Sequence, residues 1–81
     1  MDRTLLEEKL NALLIDEMEI DAIKLHPEAR LKEDIGIDSL DYVDIVVFIN
    51  REFGFKINME EMKAVQTLSD FYDYVENKIT H

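Results

Sequence analysis

The sequence predicts an all-α fold of four helices, with a long loop between helices 1 and 2 and a short helix 3. Three observations carry this. Two glycines and one proline in 81 residues leave few breakers. Apolar residues recur at three- and four-residue intervals in separate segments. Pairs of capping residues at three-residue spacing (Thr4/Glu7, Asp38/Asp41, Asn58/Glu61 and Thr67/Asp70) open four segments. With 47% apolar residues the chain is globular, and its length suits one domain, residues 1–81, with one modest core.

Helix 1 is expected from about residue 4 to about residue 19, with Leu5, Leu6, Leu10, Leu13, Leu14 and Met18 on its apolar side and Glu7, Glu8, Asp16 and Glu17 on its wet side. Pro27 forbids a continuous helix through residues 20–37. A structureless loop of that length is uncommon. Ile20, Ile23, Leu25, Leu31, Ile35 and Ile37 are therefore expected to anchor it, with a short helical turn near Glu28 to Lys32. Helix 2 runs from its N-cap Asp38 to Phe53, and Gly54 supplies a left-handed stop. Ile45 to Ile49 alone would suit a strand, but the caps and the length favour a helix. Asn58 opens a short helix 3 that ends near Ala64. Helix 4 follows Thr67 with the stripe Leu68, Phe71, Tyr72, Val75 and Ile79.

A net charge of −10 argues against nucleic acid and against stable association with anionic membranes. It favours partner proteins with basic patches, although acidity also serves simple solubility. Without cysteine there is no disulfide, thiolate nucleophile or cysteine-based metal site. No apolar signal segment or membrane-length run stands out, so a cytoplasmic monomer is expected.

Ser39 is the outstanding candidate for chemistry. It follows a glycine-containing turn and takes the first position inside helix 2, where open N–H groups and the helix dipole favour an attached anion. An ordinary N-cap serine is the plainer reading, but Asp38, with Asp41 three residues on, fills that role better. A catalytic serine needs a base and an oxyanion hole. The only histidines are His26 in the long loop and His81 at the last position, and no Gly-x-Ser-x-Gly elbow surrounds Ser39. Asp34, Asp38 and Asp41 do not follow a calcium-loop pattern. On a wheel of about 100° per residue, Tyr42, Val46, Ile49 and Phe53, with Ile45 beside them, form the core side of helix 2. Leu40, Val47 and Phe48 fall away from it among Asp41, Asp44 and Arg51, which reads as a docking surface unless the long loop or helix 3 covers some of them.

The chain resembles the acyl carrier proteins along nearly its whole length. The most specific stretch is Glu33-Asp34-Ile35-Gly36-Ile37-Asp38-Ser39-Leu40-Asp41, supported by Glu52-Phe53-Gly54, by Ile57-Asn58-Met59-Glu60-Glu61 and by the last helix begun at Thr67. The resemblance implies a small four-helix bundle that catalyses nothing. It implies a 4′-phosphopantetheine arm esterified to Ser39 by a phosphopantetheinyl transferase, with acyl groups held as thioesters and presented to acyl-transferring and ketosynthase-type enzymes of fatty-acid, polyketide or related synthesis. Asp38, Leu40, Asp41, Asp44, Val47, Phe48 and Arg51 would meet those partners. Val43, Val46, Ile57, Met62 and Val65 would line an acyl cleft between helices 2 and 3, or simply fill the core. Asn50 and Arg51 interrupt the family's acidic helix 2, and Tyr42, Phe48, Asn58 and Met62 depart from common choices, which leans toward a specialised carrier. Carriers for peptide synthesis or D-alanine usually differ before the serine. A helical adaptor without a prosthetic group is the alternative from another class.

Overall fold

The computed structural model describes residues 2–80, so the position of His81 lies outside the described residues. Four α-helices form: α1 (Arg3–Met18), α2 (Ser39–Phe53), α3 (Met59–Met62) and α4 (Leu68–Ile79). Among the described residues there is no strand, only an isolated antiparallel bridge between Arg30 and Thr67. Three of the four expected caps form as read. Asp38 and Asp41 make a complete capping box, Thr67 and Asp70 another, and Asn58 accepts from the backbone N–H groups of Glu60 and Glu61. The first cap differs: Asp2 accepts from Thr4 N–H, so α1 starts one residue earlier and Thr4 lies inside its first turn. Helix α3 ends at Met62, two residues short of Ala64.

The core is one cluster. Leu6, Leu10, Leu13 and Leu14 of α1 meet Tyr42, Ile45 and Ile49 of α2 and Leu68, Phe71, Tyr72 and Val75 of α4. Leu5 lies outside this cluster and is exposed. Arg3 binds α1 to α4: its guanidinium reaches Glu7 at 2.7 Å, Asp73 at 2.8 Å and Glu76 at 2.9 Å. Nearby, the Tyr72 hydroxyl donates to Asn11 across the same two helices.

The long loop is ordered by pairing rather than by one helical turn near Glu28 to Lys32. A 3-10 turn covers Ala22–Lys24 and a π-helical turn covers Leu31–Ile35. Gly36, at φ 90°, ends the second, a left-handed conformation that glycine adopts without strain. Leu31 N–H donates to Gln66 at 2.8 Å, Leu68 N–H to Ala29 at 2.9 Å and Ser69 N–H to Pro27 at 3.0 Å, so the loop lies against the start of α4. Leu31, Ile35 and Ile37 are buried and Ile20 and Leu25 pack on the core, but Ile23 is 81% exposed and anchors nothing. Ala29, fully buried, joins the anchors, at the point where its carbonyl accepts from Leu68 N–H at the start of α4.

Acid should loosen this junction. The Asp70 carboxylate accepts from the N–H groups of Gln66 and Thr67, both at 3.2 Å. The Thr67 backbone donor, with that of Gln66 adding to it, holds Asp70 below the usual carboxylate range. A lowered folded-state pKa contributes stability above the unfolded value of about 3.9 and loses it as pH falls through the folded value. The thermal stability gap between wild type and Asp70→Asn should therefore narrow from about pH 5 down to about pH 2. A gap independent of pH would contradict this.

Candidate functional site

The site begins with the entry into α2. Gly36 turns the chain and buried Ile37 anchors it, leaving Asp38 extended ahead of the helix. Asp38 Oδ1 accepts from the N–H groups of Leu40 and Asp41, each at 3.0 Å, and Asp41 Oδ2 accepts from Asp38 N–H at 3.0 Å. Capping is thus complete without Ser39, which is the first residue of α2 and exposed. Among the described residues its hydroxyl makes no hydrogen bond.

Ser39 stands on the wall of a cleft of about 560 Å³ between α2, α3 and the loop. Tyr42 lies one turn further along α2 on the same wall. Met59, Met62 and Val65 supply apolar surface opposite, and Arg30, Lys32, Glu33, Lys63 and Gln66 complete the lining. Three cations against one carboxylate is a local reversal of charge in a chain of net −10. Arg30 is engaged by Asp34 at 3.2 Å and Lys63 by Glu60 at 3.2 Å. Lys32 makes no ion pair among the described residues. A phosphodiester on Ser39 fits this setting: a free hydroxyl, the positive end of a fifteen-residue helix and nearby cations, with a cleft beside it for the rest of the arm. Asp38 and Asp41 oppose that charge, but their carboxylates are turned to backbone N–H groups.

The residues named for a cleft are only partly brought together. Met62 and Val65 line it. Ile57 is buried in the core, and Val46 is half-buried against it. Val43 is 58% exposed and belongs on the opposite side, forming a strip with Leu40, 78% exposed, and Val47, 54% exposed. The wheel held this signal: Val43 lies within about 60° of both. Tyr42, expected only on the core side of helix 2, and Met59, to which the sequence gives no site role, line the cleft as well.

The outer face of α2 also divides. Leu40, Val43 and Val47 are free, with Asp44 among them. Phe48 is not free on the wet face; it is half-buried and packs on the core. The Arg51 guanidinium stacks over the Phe48 ring at 5.3 Å and reaches Glu17 of α1 at 3.8 Å. The far end of α2 is thereby tied to α1. Among the described residues no cluster of three metal-ligating side chains forms, and no helix is long and apolar enough to cross a membrane.

Comparison with known proteins agrees with this geometry. Residues 8–75 match the family described as "Phosphopantetheine attachment site". The chain is 35% identical over 79 residues to an acyl carrier protein of Thermosynechococcus vestitus, covering 98% of each chain. It is 35% identical over 72 residues to one of Nitratidesulfovibrio vulgaris, covering 89% of this chain and 95% of that one. An acyl carrier protein of Solidesulfovibrio magneticus is 31% identical over 71 residues, 88% of this chain and 91% of its own. An all-α bundle with an exposed serine at a capped helix mouth, matched over nearly its full length, places the chain in the acyl carrier protein family, whose members are carriers rather than catalysts and work through a 4′-phosphopantetheine group.

Proposed function

We propose that Ser39 carries the 4′-phosphopantetheine arm and that the chain uses it to present thioester-bound acyl intermediates to the enzymes of one biosynthetic pathway in the cytoplasm. The observation that supports this most is the division of labour at the mouth of α2. Asp38 and Asp41 satisfy the open N–H groups, and Ser39 is left exposed, without a hydrogen bond and beside the cleft. When bound, the group supplies a thiol on a swinging arm, which this cysteine-free chain does not encode. The chain's own contribution is to hold the attachment point at a helix end, to offer nearby cations and to set the surface that partners read. Coexpression with a promiscuous phosphopantetheinyl transferase should add one pantetheine phosphate to the wild-type chain, located on Ser39 by fragment mass. A chain that several transferases leave unmodified would sink the assignment and favour a prosthetic-group-free adaptor.

Partners, the transferase and acyl-transferring or ketosynthase-type enzymes alike, would dock on Leu40, Val43 and Val47 with Asp44 steering a basic patch. Asp41 is a poor probe of this surface because its carboxylate closes the capping box. Asp44→Lys is clean: we expect modification by the transferase to slow by roughly tenfold at low salt, with the difference shrinking at high salt. Equal rates would remove Asp44 from the docking face. The interruption at Asn50 and Arg51, with Arg51 engaged by Glu17, supports a specialised carrier whose partners read the first half of α2.

A further inference from the structure

The cleft beside Ser39 is not built for a plain hydrocarbon. Tyr42 is only 9% exposed, its ring part of the core, yet its hydroxyl has no hydrogen-bond partner among the described residues. No fully buried side-chain oxygen or nitrogen lacks a partner among them, so this hydroxyl still meets solvent, and the cleft is the opening it lines. Burial, with the Glu33 charge adding to it, pushes the Tyr42 phenol up, so it remains a donor at neutral pH. A saturated chain laid over the hydroxyl would strip its water and return nothing. A chain with an oxygen substituent would replace that water with a hydrogen bond, while Met59, Met62 and Val65 take its alkyl portion.

We propose that the cleft selects acyl chains bearing a hydroxyl or keto group over saturated chains of the same length, and that Tyr42 is the residue that makes the selection. This rests on attachment of the arm at Ser39. Synthetic octanoyl- and 3-hydroxyoctanoyl-coenzyme A, transferred whole by a phosphopantetheinyl transferase, would load the full chain with either arm, and mass confirms loading. The readout is the rate at which hydroxylamine cleaves each thioester, divided by the rate for the same free acyl-pantetheine.

The hydroxylated arm should be protected about two- to tenfold better than the saturated one in wild type. In Tyr42→Phe, which keeps the ring and its packing, the two should be protected equally. The unfolding midpoint of the unloaded variant checks that the ring still fills the core. Equal protection in wild type, or a preference that survives Tyr42→Phe, overturns the inference and leaves the attachment reading standing. Failure of wild type to gain mass overturns both.

Discussion

Ser39→Ala should abolish modification and leave the fold intact. Both halves follow from the same geometry. The serine hydroxyl makes no hydrogen bond among the described residues, and the side chain is exposed. Removing it therefore breaks no contact, and alanine is a good residue for the first turn of a helix. Stability should change by no more than about 0.5 kcal/mol, the usual range for a surface position. Modification, by contrast, should fall from complete to none, because the other serine, Ser69, in the first turn of α4, is half-buried where that turn pairs with the loop at Pro27. Intact mass after transferase treatment, read beside a thermal melt, checks the two halves together. A modified Ser39→Ala chain would move the attachment point, and an unfolded one would mean that Ser39 has a structural duty the caps do not reveal.

Phe71→Ala should come close to unfolding the domain. Phe71 is 1% exposed and lies in the one cluster shared by α1, α2 and α4. Truncating a buried phenylalanine costs about 3–5 kcal/mol, from lost transfer energy and the cavity left behind. A chain of this size holds only roughly 4–12 kcal/mol in total. The urea midpoint should thus collapse or drop by about half, while Ile23→Ala, at an exposed position, should leave it nearly unchanged. Equal midpoints for wild type and Phe71→Ala would mean that the three long helices do not share one cooperative core.

The local grammar of this fold was legible in the sequence, because caps and stops are short-range chemistry. Asp38 with Asp41, Thr67 with Asp70, Asn58 and Gly54 each act within four residues of themselves. Asp2 displaced Thr4 at the first cap because two oxygen-bearing side chains stood close together and only three-dimensional geometry chooses between them. The loop resisted reading because its order comes from pairing with residues about 35–42 positions away, Leu31 with Gln66 and Pro27 with Ser69. Ser39 stood out for the same local reason as the caps. The cleft did not: Tyr42 is core by periodicity and lining by position, and periodicity sees only the first. Phe48 read as outward on the wheel, and tertiary packing against the core, which the wheel does not contain, leaves it half-buried.

The short helix α3 carries a last consequence. Four residues are far below the length at which a helix holds itself, about 12–15 residues. What keeps it in place is external: Tyr74 Oη donates to Glu61 at 2.8 Å and accepts from Asn58 N–H at 3.2 Å, Lys78 reaches Glu61 at 2.9 Å, and Met62 is buried. The polar part of this clasp is at the surface, where each bond is cheap to open. One wall of the cleft is therefore held by fewer and more exposed ties than the α1, α2 and α4 helices that share the core. Any change in the cleft's volume of about 560 Å³ should therefore begin at these surface ties, and would cost core packing only where it drew Met62 out of the shared cluster.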